Sequence, residues 1–345
     1  MKKFNIGILG ATGAVGREML KVLGEYNFPV NELRLLASER SVGKKILFQG
    51  KEIEVKLACH EAFNGLDIVL GAASNAIAKE FKDDIVKAGA VFIDNSSAFR
   101  MLDDVPLVVP EINPEDIFKN KGVIANPNCS TIITLVAINA INKLSKIKAM
   151  VASTYQATSG AGAAGPVELM DEMKDLAKIY DETGLIANKY DCEPKTFQYQ
   201  IAGNVIPHIG SFLENGYTTE EMKMQNEGRK IMHLPELNVT CTCVRVPVVR
   251  SHSISVTLVT EKHLEIADVK NAISKAEGCK LYDDLDNKLY PMPIVTSDQD
   301  LVYVGRIRRD LINENGITLW CCGDQVRKGA ATNAVQIALK LIEKL

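Results

Sequence analysis

Gly10-Ala11-Thr12-Gly13-Ala14-Val15-Gly16 is the stretch whose reading decides the fold. It follows an apolar run over residues 4–9 and opens an apolar-periodic segment over 14–23, so the order strand, glycine turn, helix is expected. Glycine permits a tight turn and a close backbone approach. The start of a helix adds unpaired N–H groups and the positive end of its dipole, which together suit a pyrophosphate. Outward from this loop, strands are expected over 32–37, 66–73 and 91–94, with a helix over 77–88. That alternation describes a mostly parallel sheet covered by helices, a Rossmann-type α/β domain.

The end of the second strand reads Ser38-Glu39-Arg40-Ser41, followed by Lys44 and Lys45. An NAD enzyme commonly places a carboxylate about 20 residues beyond the glycine loop, to take the ribose hydroxyl. Here hydroxyls flank a guanidinium, a set suited to a ribose 2′-phosphate, so NADP is the expected cofactor and Glu39 is the residue that speaks for NAD.

From residue 148 the texture changes to longer β-rich runs, 148–158 and 238–260, with a helix near 265–277 and strands near 301–308 and 317–322. A second, mainly antiparallel sheet domain of the α+β type is expected. Residues 328–345 carry Ala331, Val335, Ala338, Leu339 and Ile342 at helical spacing, which predicts a helix packed back on the first domain.

Bulk properties narrow the function. A chain of 345 residues exceeds what one core usually organises, and 46% hydrophobic with 24% charged residues is an ordinary globular balance. A net charge of −3 argues against broad nucleic-acid binding. The longest apolar runs, such as 132–138, are too short for a bilayer, and the first residues lead directly into the glycine loop, so no membrane association and a cytoplasmic location are expected. The eight cysteines show no CxxC pairing, so reduced thiols are expected, with neither disulfides nor structural zinc. No cluster with ligand spacing implies any other metal.

One thiol stands apart. Asn126-Pro127-Asn128-Cys129-Ser130-Thr131 ends the apolar strand 122–125 and precedes an apolar-periodic helix running to about 144, which puts Cys129 at a helix N-terminus. There the dipole and the unpaired N–H groups favour a thiolate, lowering the pKa from the free value of about 8.5. Such a thiolate is a nucleophile, and the backbone N–H beside it suits a developing oxyanion.

The glycine loop, the Asn126–Thr131 block, Gln156-Ala157-Thr158-Ser159-Gly160-Ala161-Gly162 and Arg245-Val246-Pro247-Val248-Val249-Arg250-Ser251-His252 occur in one order along the chain. Together they resemble the aspartate-semialdehyde dehydrogenase family over essentially its whole length. The related acetylglutamyl-phosphate reductases follow their Asn-Pro with Gly-Cys-Tyr, whereas here Asn-Cys-Ser follows.

The resemblance implies a cofactor-binding domain over 1–129 plus 326–345 and a catalytic and dimerisation domain over 130–325. It implies reversible NADP-dependent reductive dephosphorylation of 4-phospho-L-aspartate to aspartate semialdehyde, with release of phosphate, on the route to lysine, diaminopimelate, methionine and threonine. Cys129 carries the acyl group, His252 manages protons and Gln156 orients the acyl carbonyl. Arg245 clamps the α-carboxylate, Glu220 and Lys223 hold the amino group and phosphate, Arg100 binds phosphate, and Asn128 stands at the substrate. Gly10, Thr12, Gly13, Ala14, Val15, Ser38, Arg40, Ser41, Ser159, Gly160 and Gln325 are implied at the dinucleotide, although many relatives have Asp-Asn where this chain has Asp324-Gln325. A homodimer or homotetramer is implied. The competing readings are a related acyl-phosphate reductase acting on acetylglutamyl phosphate, and a non-catalytic NADP-binding sensor with a redox-responsive Cys129.

Overall fold

The computed structural model describes residues 2–344; Met1 and Leu345, the outer bounds of the first expected domain, lie outside the described residues. The chain forms two compact units, residues 2–132 with 229–234 and 326–344, and residues 133–228 with 235–325.

The first unit is built on β1 (Phe4–Leu9), α1 (Ala14–Glu25), β2 (Val30–Ala37), β3 (Lys45–Phe48), β4 (Lys51–Leu57), β5 (Ile68–Gly71), α2 (Asn75–Lys87), β6 (Val91–Asp94) and β7 (Val123–Ala125). Its strands run in the order β3-β4-β2-β1-β5-β6-β7, and every neighbouring pair is parallel except β3 with β4. Without β3 this is the strand order of the dinucleotide-binding doubly wound fold, which reverses direction between β1 and β5. Strands buried on both faces need continuous apolar sequence, and Ile-Val-Leu-Gly of β5 is entirely buried. The β3–β4 hairpin was not anticipated from the sequence. Gln49 and Gly50 make its two-residue turn with φ of 47° and 80°, the conformation that joins tightly paired strands.

A long helix, α3 (Cys129–Leu144), leads into the second unit. There follow β8 (Ile147–Gln156), α4 (Ala164–Thr183), α5 (Thr219–Ile231), β9 (Asn238–Arg245), β10 (His252–Thr260), α6 (Ile266–Ser274), β11 (Cys279–Leu281), α7 (Pro293–Thr296), β12 (Val302–Arg309) and β13 (Gly316–Gly323). Its six-stranded sheet has the order β11-β12-β13-β10-β8-β9. The three central pairings are antiparallel and the two edge pairings parallel, so the expected antiparallel character holds in the middle of the sheet and fails at its edges. The 20-residue α4 is a second element absent from the sequence expectation.

The C-terminal helix α8 (Thr332–Ile342) returns to the first unit, where Val335, Ala338 and Leu341 join Met19, Leu23, Ile68 and Ile93 in one core. It does not start at residue 328 as a regular helix. A π-helical turn over Arg327–Ala331 precedes it. The end of α5 also belongs to the first unit, because the Lys230 ammonium donates to the carbonyls of Arg100, Leu102 and Val105 at 2.9, 2.7 and 2.8 Å.

α1 lies so close to the turn after β1 that a Cβ on Gly16 would sit 2.4 Å from the Gly10 carbonyl oxygen, whereas one on Gly13 would stay 3.4 Å away. Gly16→Ala is expected to lower stability by about 1–3 kcal/mol through overpacking. Gly13→Ala should cost much less, and urea midpoints of the two variants check the contrast.

Candidate active site

At the carboxyl ends of β1, β2 and β5 the chain leaves a cleft of about 670 Å³, lined among others by Gly10, Thr12, Gly13, Ser38, Glu39 and Arg40. Gly10 turns into it with φ of 88°, and a Cβ there would strike the Ala72 carbonyl at 2.5 Å. α1 starts after Gly13 with no side-chain cap, so the first-turn N–H groups at Ala14 and Val15 are left for an anion. The hydroxyls of Thr12 and Ser41 are 3.2 Å apart, which binds the glycine loop to the turn that carries Arg40. Cleft, uncapped helix start and exposed guanidinium fit a dinucleotide at the point where the strand order reverses.

β7 and α3 are separated by three residues. Asn128 ends that loop as a helix cap, its Oδ1 accepting from the N–H groups of Ser130 at 3.0 Å and Thr131 at 3.2 Å. Cys129 is therefore the first residue of α3, as the sequence predicts, and is half-buried. Five other thiols, those of Cys241, Cys243, Cys279, Cys321 and Cys322, are buried. Burial pushes Cys321 and Cys322 up from the ordinary thiol range, and the neighbouring Cys241 does the same for Cys243. Those groups are packing elements. Arg100 is 7% exposed and donates from Nη2 to the Asn95 carbonyl at 2.7 Å. Near it, burial raises the Asp94 carboxyl while Ser96 and Arg100 hold it down.

The second unit gathers the remaining candidates at one end of its sheet. Gln156 and Arg245 are register partners at the ends of parallel β8 and β9, and His252 opens β10 on the other side of β8. Seven residues of unbroken strand would have put Arg245 and His252 on opposite faces. β9 instead stops at Arg245, and the connection to β10 passes through Ser251 at φ 74°. Arg245 Nη1 then donates to the Ala157 carbonyl at 2.6 Å, and the Ala157 N–H donates to His252 Nδ1 at 3.0 Å. An accepting Nδ1 assigns the ring proton to Nε2. His252 is fully buried, and burial with the adjacent Arg245 charge lowers its pKa to about 3.

Gln156 Nε2 donates to Glu220 Oε1 at 3.1 Å, and Lys223 Nζ donates to Glu220 Oε2 at 2.8 Å. Glu220 and Lys223 do share a helix, whose phase is set by a capping box. The Thr218 N–H donates to Glu221 Oε2 at 2.7 Å, and the Glu221 N–H donates to Thr218 Oγ1 at 3.2 Å. Glu221 also accepts from the Cys243 N–H at 3.0 Å, which docks α5 on edge strand β9. Glu221 was missed, although the Thr-x-x-Glu pattern is legible in the sequence. Gln325 spends its amide inside the unit. Its Oε1 accepts from the Ser251 N–H at 2.8 Å and its Nε2 donates to Ser159, so it braces the turn bearing Ser159 and Gly160.

A Rossmann-type dinucleotide domain joined to a mixed-sheet domain, with a thiol at the start of the connecting helix, is the architecture of semialdehyde dehydrogenases. Residues 5–120 match the family model for the semialdehyde dehydrogenase NAD-binding domain, and residues 138–328 match that for the dimerisation domain. Aspartate-semialdehyde dehydrogenase of Aquifex aeolicus is 49% identical over 344 residues, covering 99% of this chain and 98% of its own. The crystal structure of aspartate semialdehyde dehydrogenase II from Vibrio cholerae superimposes with a TM-score of 0.93 at 44% identity, 99% of each chain being covered. A structure of that enzyme complexed with ASA also gives a TM-score of 0.93, at 43% identity with 99% of each chain covered. The chain belongs to the aspartate-semialdehyde dehydrogenase family.

A Cβ on Gly160 would come within 2.9 Å of Arg245 Nη1 and 3.0 Å of His252 Cε1. Gly160→Ala should fold and lose about tenfold or more in kcat/KM by displacing these two groups; steady-state kinetics beside a melting curve reads both. Acid stability provides another check. With the folded pKa of His252 near 3 and the unfolded one at 6.5, the unfolded chain alone takes a proton between these values. His252 therefore removes no stability above pH 6.5 and progressively more as pH falls toward 3. Urea titrations of His252→Gln should show a shallower acid limb than the wild type.

Proposed function

We propose that the protein catalyses reversible, NADP-dependent reductive dephosphorylation of 4-phospho-L-aspartate to L-aspartate 4-semialdehyde through a thioester on Cys129. The half-buried thiol at the Asn128-capped start of α3 carries this reading. The Cys129 thiolate attacks the acyl carbon, the carbon–sulfur bond forms and phosphate leaves. When bound, the nicotinamide supplies the hydride that reduces the acyl carbon. Breaking the carbon–sulfur bond then frees the aldehyde and returns the thiolate. His252, with its proton on Nε2, is the donor for the oxygen on which charge develops, in place of the general-base role of a free imidazole.

Substrate roles follow from donor type. Arg245 presents the planar fork for the α-carboxylate, and Gln156 supplies a neutral amide for the acyl group. Glu220 is assigned to the ammonium, Lys223 and Arg100 to phosphate, and Asn128 to the substrate beside the thiol. In the cofactor cleft, Gly10, Thr12, Gly13, Ala14 and Val15 are assigned to the pyrophosphate, and Ser38, Arg40 and Ser41 to the 2′-phosphate. Ser159 and Gly160 complete this set, with Gln325 acting through the Ser159 turn. Exposed Val151 and Tyr155 on β8 sit within the span matching the dimerisation model, which supports a homodimer through the second unit. We place the reaction in the cytoplasm, where buried thiols stay reduced.

The test is NADPH formation, followed by absorbance, from aspartate semialdehyde and inorganic phosphate. Cys129→Ala should reduce turnover by about 10⁴-fold or more, and Arg40→Ala should raise KM for NADP while leaving that for NAD nearly unchanged. Folded wild-type protein that fails to turn over this aldehyde would sink the substrate assignment.

A further inference from the structure

Lys328 is fully buried in the first unit, as is Asn333, and neither belongs to the candidate site. The Lys328 ammonium contacts Glu111 Oε1 and Oε2 at 2.7 Å each, Gln336 Oε1 at 2.6 Å and Asn333 Oδ1 at 3.0 Å. An ammonium only donates, so it turns the Asn333 carbonyl oxygen toward itself and leaves the Asn333 NH₂ facing away. That NH₂ donates to the Val108 carbonyl at 2.9 Å and to Asn126 Oδ1 at 2.7 Å. Asn126 is oriented in turn, and its Nδ2 donates to Asn95 Oδ1 at 2.7 Å; Asn95 Nδ2 ends the chain on the Gly71 carbonyl at 2.7 Å.

One buried charge therefore sets the direction of three successive amides. The chain passes through the loop in front of Cys129 and ends on the strand next to the cofactor cleft. Asn95 also accepts Arg100 through its backbone carbonyl. The backbone of Asn126 is held as well, its N–H donating to the Asp94 carbonyl at 2.7 Å. Pro127 has its own φ fixed by its ring and restricts the backbone of Asn126 before it, and Asn128 caps α3. A buried ion pair contributes little net stability over apolar packing of the same volume. What Glu111 and Lys328 supply is direction, and Lys328 lies in the π-helical turn that precedes α8.

We propose that Glu111, Lys328 and Asn333 are positioning residues for the reaction of Cys129, acting through Asn126, which anchors the loop that presents the thiol. The proposal rests on Cys129 being the reacting thiol.

Two variants of Asn333 test it. Asn333→Leu removes both halves of the link. Asn333→Asp keeps the acceptor for Lys328 but loses the donor to both the Val108 carbonyl and Asn126, so it should fold with a lower melting temperature than the wild type. With Asn333→Asp, kcat is expected to fall about tenfold or more while KM for NADP changes little. The rate of Cys129 alkylation by iodoacetamide, read by mass spectrometry of the cysteine peptide, should change by about threefold or more in both variants. Asn333→Asp with wild-type kcat and a wild-type alkylation rate would overturn the proposal and leave a purely structural ion pair. Should Asn333→Leu fail to fold, Asn333→Asp still decides. If the wild type itself does not turn over the semialdehyde, the functional reading falls, and an unchanged alkylation rate in Asn333→Asp separately overturns the relay.

Discussion

In a parallel sheet every strand leaves at the same edge, and in the first unit nearly all the candidate site residues hang from that edge. β1 ends in the glycine turn, β2 in the Ser38–Ser41 turn, β6 in the segment leading to Arg100, and β7 in the loop before Cys129. The cleft forms where the strand order reverses, because the loops after β1 and β5 lead away on opposite sides there. Gly16 lets α1 pack closely against the glycine turn, so the helix starts at the mouth of that cleft.

The second unit solves a different problem with a mixed sheet. Parallel pairing of β8 with β9 brings Gln156 level with Arg245, and antiparallel β10 returns His252 to the same end. Ala157 has no reactive side chain, yet its backbone joins the two functional groups, the carbonyl taking Arg245 and the N–H giving to His252. Burial and the adjacent Arg245 charge keep this histidine neutral, and the Ala157 N–H on Nδ1 leaves its proton on Nε2.

Legibility in the sequence followed the range of the determining interaction. The strand over 91–94, the helix opening at Cys129 and the glycine turn depend on residues within a few positions of one another, and the structure places them as expected. Glu220 and Lys223 could be paired only on condition that their segment was helical, and the Thr218–Glu221 box supplies that condition. The buried Glu111–Lys328 pair was not read at all. Charges predict exposure unless the partner is known, and here the partner lies 217 positions away.

By itself the sequence determined neither the β3–β4 hairpin nor α4, but it did determine the alternating elements around the glycine loop, that loop with its basic and hydroxyl-bearing neighbour turn, and the placement of one cysteine at a helix start. These follow from local periodicity, backbone freedom and capping chemistry, which act within a turn or two. Only the tertiary structure decided that Arg245 and His252 meet across Ala157, that Gln325 braces a turn, and that a buried ammonium orients the loop before Cys129. Each of those outcomes depends on strand register or on which distant polar group fills a buried valence, and neither is encoded in the spacing of residues along the chain.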